Sequence, residues 1–259
     1  MSVQIARELL AVEILRLRRN RALVAFAAFL AIGALVLMFG FQAIQHAGSP
    51  ATNEPAGGTV GFDHAVRMLG LMFGVLAAAL IGTEAGTADL SSGVFRDLVA
   101  TGRSRLQLFA VRAPAAILVT LALDAAAFAV ALVATFVFAD GLPDPSLSVI
   151  LESAAWIALS TTLTVTLAVG VGSMTGSRGA TLTAVLGWLA IATPLLINVS
   201  SLGSAREGIL TVALSSLMPV SGGLGSGIAV STGAAAAVLT GWLAVPAAIG
   251  AFKTATRDA

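Results

Sequence analysis

Residues 82–105 read GTEAGTADLSSGVFRDLVATGRSR, a polar stretch between two apolar blocks at about 65–82 and 107–138. Leu90, Val94, Phe95, Leu98 and Val99 recur at helical spacing, while Ser91, Ser92, Arg96 and Asp97 face away. This periodicity predicts a short amphipathic helix, with Asp89 suited to its N-cap and Gly102 to the position just past its C-cap. Its apolar side belongs against lipid or neighbouring spans and its polar side toward the cytosol.

The blocks around it identify the solvent. Of 259 residues, 58% are hydrophobic and 10% charged, and the mean hydropathy is +0.97, a balance far from that of a soluble domain. Crossing the hydrocarbon takes about 20 apolar residues. Six blocks qualify, at about 22–44, 65–82, 107–138, 150–174, 180–199 and 233–252. The third is overlong, so it tilts or projects beyond the bilayer. The expected architecture is an all-α polytopic membrane protein: an N-terminal interfacial helix in 1–21, a six-span bundle in 22–252 and a cytosolic tail in 253–259. The first block is too long for a signal-peptide core and is expected to remain as an anchor.

Charge placement sets the orientation. Arg7, Arg16, Arg18, Arg19, Arg21, Arg96, Arg103, Arg105, Arg178, Lys253 and Arg257 fall on one side, and only Arg206 falls in the opposite loops 45–64, 139–149 and 200–232. This positive-inside pattern predicts cytosolic termini. Arg67 and Arg112 lie just inside span ends and are expected to snorkel. A net charge of +1 gives no argument for nucleic acid, and the lack of cysteine excludes disulfides and thiolate chemistry. One Lys against thirteen Arg, with abundant Ala and Gly, suits a GC-rich bacterial genome.

Within 1–21, Ile5, Leu9 and Val12 share one helical face and Leu10, Ile14 and Leu17 another, a loose amphipathic pattern. An ordinary positively charged flank is the alternative. In the second span, Gly70, Gly74, Ala78, Gly82 and Gly86 recur every four residues, a small-residue ridge that lets another helix approach closely. The 200–232 loop is long and apolar but broken by Pro219, Gly222, Gly223, Gly225 and Gly227. Two short helices dipping back into the outer face fit it. Asp124 lies near the middle of the third span, where a carboxylate is costly. A structural interhelix bond, a place on the transport pathway and proton coupling all remain open for it. His46 and His64 are expected to be solvated, with no metal site. Gly170, Gly172 and Gly176 read as packing or helix-stop glycines, and Ser160, Thr161, Thr162, Thr164 and Thr166 as side chains bonding to their own helix.

Taken together, these features resemble a type-2 ATP-binding-cassette (ABC) permease over the whole length. The resemblance rests on the charged N-terminal helix and the six spans. It also rests on Glu84-x-Gly86-Thr87 closing span two, Gly102-Arg103-Ser104-Arg105 opening span three, the broken loop before span six, and the Phe252…Arg257-Asp258 tail. It implies one permease domain, 1–259, in a bacterial cytoplasmic membrane, exporting an amphiphilic drug, antibiotic or lipid-like substrate by alternating access. Segment 88–104 would be a cytosolic coupling helix seated on a separate ATPase subunit, with a second permease copy or a related permease completing the pathway.

No Gly-x-x-x-x-Gly-Lys-Ser/Thr loop occurs, so the chain is expected to be no enzyme, with ATP and Mg bound on the partner. Phe95, Arg96, Asp97, Leu98, Arg103 and Arg105 are the expected coupling residues. Glu84, Gly86 and Thr87 are expected at the interface, Glu84 pairing with a basic residue of the N-terminal helix or a neighbouring span. Phe73, Asp124, Trp188, Thr193 and Asn198 are candidate pathway residues. The competing readings are a proton-coupled secondary carrier using Asp124, and a non-transporting scaffold or immunity subunit.

Overall fold

A computed structural model describes residues 3–93, 102, 104–220 and 228–256. Among the described residues, eight helices carry the architecture: α1 (Val3–Arg19), α2 (Arg21–Gly48), α3 (Gly58–Ser91), α4 (Arg105–Val137), α5 (Leu147–Thr175), α6 (Arg178–Asn198), α7 (Leu210–Ser216) and α8 (Thr232–Thr256). A 3₁₀ segment, Ser200–Gly208, precedes α7. No strand occurs among the described residues. Six of the helices, α2 to α6 and α8, are long and apolar enough to cross a membrane. The protein is therefore multi-pass and all-helical, as its hydropathy predicts. At 33 residues, α4 is about 50 Å long against about 30 Å of hydrocarbon, so the excess length sits at its ends.

Contacts at the two ends fix the topology. Arg16 with Asp89, Glu84 with Arg178, and Arg105 with the Ala255 carbonyl gather α1, the end of α3, the starts of α4 and α6, and the end of α8. Helix α1 and the end of α8 therefore share one end, called here the terminal end. At the opposite end, Gly57 N–H donates to the Phe138 carbonyl and Thr59 N–H to that of Pro143.

The core is the α3–α5 contact. Along the small-residue ridge, Gly70 lies under the Trp156 ring, and a Cβ there would stand 2.0 Å from the ring. Gly86 meets the Val169 carbonyl, and an added Cβ would stand 2.8 Å from it. Ser160 Oγ donates to the Gly70 carbonyl at 2.5 Å, and Trp156 Nε1 donates to that of Leu214 at 2.8 Å. Gly74 departs from the ridge: it covers the Leu69 carbonyl of its own helix, because a π-helical turn at Met68–Met72 shifts the register there. On the other side of α5, Gly170 packs on Pro246 of α8, while Gly176 ends the helix in the left-handed region at φ 65°. Thus α5 is held between α3 and α8, and both need its small residues.

Several expectations change. Helix α3 runs on through Ser91, so Asp89 is a buried residue inside a helix and caps nothing. Arg112 does not snorkel; it is 1% exposed. Arg67 turns back to the Asp63 carbonyl at 3.1 Å. His46 is not merely solvated, since its Nε2 meets Asp140 Oδ2 at 3.1 Å and its Nδ1 the Asn53 carbonyl at 2.7 Å. In the Ser/Thr run, Thr162 and Thr166 do bond within α5, but Ser160 and Thr161 reach other helices. The apolar 200–232 loop supplies α7, whose Leu210, Val212, Ala213 and Leu214 are buried among α5, α6 and α8.

Gly86→Leu is expected to force α3 and α5 apart and to lower stability by about 1–3 kcal/mol or more. Gly179→Leu, at a position with open space around it, is expected to change it little. Thermal unfolding of the detergent-purified variants checks both.

Candidate functional site: a charge cluster at the root of the polar segment

The polar segment leaves the bundle at Ser91 and re-enters at Arg105, and both roots are held by buried charge. Asp89, on the last turns of α3, is 8% exposed and receives two guanidinium groups. Arg16 of α1 binds its Oδ1, and Arg112 of α4 reaches its Oδ2 at 3.1 Å. Arg16 also binds Glu13 Oε1 at 2.5 Å. Two carboxyl groups thus face two guanidiniums across three helices, and pairing of this kind makes a buried charge such as Arg112 tolerable.

A second bridge lies one turn deeper on α3. Glu84 Oε1 accepts from Arg178 Nη2 at 2.6 Å and from Asn20 Nδ2 at 3.4 Å. This joins α3 to the start of α6 and to the α1–α2 junction. Thr87, fully buried beside Glu84 and Gly86, donates to the Thr83 carbonyl at 2.7 Å and lays its methyl against Gly172.

Sequence reasoning missed the Arg16–Asp89–Arg112 cluster. The signal was present: Arg112 and Asp89 are ionisable residues flanking span ends, and each needs a partner. Which arginine meets which carboxylate depends on the α1–α4 packing, and no local pattern encodes that.

Of the expected coupling residues, Phe95, Arg96, Asp97, Leu98 and Arg103 lie outside the described residues. Arg105 Nη1 donates to the Ala255 carbonyl at 3.4 Å.

The five candidate pathway residues fall in separate places. Thr193 and Asn198 line a cavity of about 440 Å³ between α3 and α6. Asn198 turns its amide to the Pro194 carbonyl at 2.8 Å, and Thr193 Oγ1 is enclosed without a partner. Phe73 lines a separate cavity of about 470 Å³ between α2 and α3. Trp188 instead packs against Trp242 of α8, with ring centroids 5.5 Å apart and the planes tilted by 37°. Asp124 is buried between α4 and α5, bonded to Thr161.

The α2–α3 and α3–α6 cavities share a feature with no sequence signature. Helices α2, α3 and α6 each contain a π-helical turn, at Phe29–Gly33, Met68–Met72 and Gly187–Ala192. Phe29, Leu30 and Met68 border the first cavity, and Met72, Leu189 and Ala190 the second. Turns of this kind recur at functional sites because the locally widened helix leaves carbonyls poorly satisfied and the backbone adjustable. Among the described residues, no group of three metal-ligating side chains occurs. No protein-family model matches this chain, and no curated protein matches its sequence.

Two predictions follow from the cluster's electrostatics. Asp89→Asn removes the carboxylate that Arg16 and Arg112 share and is expected to cost about 3–5 kcal/mol. Replacing both, with Asp89→Leu and Arg112→Met, is expected to recover most of that loss in thermal unfolding.

Glu13 gives the second prediction. Burial, reinforced by Asp89 and Glu84, outweighs Arg16 and Arg112 and pushes its carboxyl from 4.5 up to about 7. The folded protein therefore holds a proton that the unfolded chain releases. The Glu13 contribution is complete below about pH 4.5 and is lost as pH rises through 7, to an extent of about 3 kcal/mol. Glu13→Gln is expected to flatten this part of the stability–pH profile. Unfolding of both proteins in detergent from pH 4.5 to 8 measures the difference.

Proposed function

We propose that this protein is the membrane-spanning permease subunit of an ATP-driven ABC exporter. Its polar 92–104 segment is the coupling element and its termini are cytosolic. The observation that carries the reading is how this segment is mounted. Its two roots are tied by buried ion pairs to α1, α3 and α4, and through Glu84 to α6. A surface loop without a mechanical role needs no such anchorage, since loops tolerate change and move freely. A displacement imposed on this one would pass directly into α3 and α4.

In this reading, an ATP-hydrolysing partner closes on nucleotide and shifts the segment. Phe95 and Leu98 hold it to the membrane domain, while Arg96, Asp97 and Arg103 contact the partner. The shift biases the spans between inward-facing and outward-open states. The α2–α3–α6 face, with its three π turns and two apolar cavities, is where a second permease copy would pack and where an amphiphilic substrate would pass. The exposed side chains of Phe29, Leu37, Phe41, Ile191 and Leu195 on α2 and α6 support such a face. The one-sided arginine distribution supports the cytosolic placement of the segment.

Phe95→Asp and Arg103→Glu are each expected to release the ATPase subunit, or to lower transport per ATP hydrolysed by about tenfold. The measurement is paired ATPase and efflux assays on the complex reconstituted in liposomes. Unchanged coupling in both variants would remove the assignment, as would labelling of the segment from the outer side of the membrane.

A further inference from the structure

Asp124 stands near the midpoint of α4, far from the charge cluster at the terminal end, and is 4% exposed. Its Oδ2 accepts from Thr161 Oγ1 of α5 at 2.5 Å, and its Oδ1 is enclosed without a partner. No cation is close in sequence: α4 carries no Lys or Arg after Arg112, and α5 carries none. The carboxyl forms part of the wall of a cavity of about 260 Å³ between α4 and α5. The remaining wall is hydrocarbon, chiefly Leu121, Phe128, Leu132 and Ile157. Ala125 and Ala129 at its rim are exposed on the outside of the bundle, so the cavity opens where lipid chains lie.

Such a cavity has space for an apolar body and one polar group whose bonding is half complete. A lone carboxylate is costly in hydrocarbon, and the carboxylic acid is the form that avoids the cost. A ligand that brings a positive charge removes that constraint, and a ligand arriving through lipid must enter uncharged. An amine does both. It partitions as the free base, its nitrogen lone pair takes the Asp124 proton, and the resulting ammonium donates N–H to Oδ1 while Thr161 keeps Oδ2. The proton moves from oxygen to nitrogen, and the pair stays neutral overall. Alcohols bring no charge, and quaternary ammonium ions have no N–H. The cavity lies just under the range of about 300–1,000 Å³ for drug-sized ligands, so the body must be compact.

We propose that the α4–α5 cavity is a binding site for a compact lipophilic primary or secondary amine, entering from the bilayer and held by Asp124 with Thr161. This site is separate from the α2–α3–α6 face and does not depend on the exporter reading.

The test uses the full chain in phosphatidylcholine nanodiscs and equilibrium binding of tritiated 1-aminoadamantane, corrected with empty nanodiscs. The expected result is saturable binding that weakens about tenfold or more in Asp124→Asn, the loss of a charge-assisted hydrogen bond. Ala158→Leu fills the cavity while keeping the carboxyl, and is expected to reduce binding equally. 1-Adamantanol is expected to compete at least about tenfold less well than the amine. Non-saturable binding, unchanged affinity in Ala158→Leu, or equal competition by the alcohol would overturn the proposal. Equal competition would leave the cavity as a cleft for lipid chains. If Asp124→Asn fails to fold, Ala158→Leu and the alcohol decide the outcome alone.

Discussion

Two helices surrounded by hydrocarbon gain nothing from hiding apolar side chains, since lipid is as apolar as they are. Their association rests on close van der Waals contact and on interhelical hydrogen bonds. The α3–α5 pair supplies both. Its glycines let the backbones approach, and Ser160 closes the contact by donating to the Gly70 carbonyl. Much of the remaining architecture is placed by this pair. It fixes the rotation of α3, and so aims Glu84 toward α6 and Asp89 toward α1 and α4. It fixes the rotation of α5, which turns Thr161 toward Asp124 and the opposite side toward Pro246 of α8.

Ionisable groups are distributed unequally over this frame. At the terminal end, guanidiniums meet carboxyl groups: Arg16 and Arg112 meet Asp89, and Arg178 meets Glu84. Burial of that kind seldom adds stability over an apolar substitute, yet removal of a single partner is severe. It therefore specifies an arrangement more than it strengthens one, and here the arrangement is the seating of α1 against the roots of the polar segment. In mid-bundle, among the described residues, Asp124 has a hydroxyl partner, Thr161, at one carboxyl oxygen and none at the other.

The π turns add a different property. They lie in α2, α3 and α6, whereas the closely packed α5 is α-helical throughout its length. The π turn of α3 lies both at an apolar cavity and at the α3–α5 contact, where the Gly70 carbonyl takes the Ser160 hydroxyl.

The six spans were legible in the sequence because an apolar run of span length has few other uses. The small-residue ridge was equally legible, since a period of four on a helix marks a face wherever it lies. Glu84's need for a basic partner could be read locally, but Arg178 as that partner could not. The limits of such reading are clear at Asp89: its short-range context suggested a helix start, yet the long-range availability of Arg16 and Arg112 made a buried helical position tolerable. Hydropathy, periodicity and charge asymmetry are properties of neighbouring residues, so the chain alone determined which segments are helical and apolar. Which helix faces which, where the π turns fall, and which carboxyl is left half bonded beside a cavity depend on residues tens of positions apart meeting in space, and only the tertiary structure decided those.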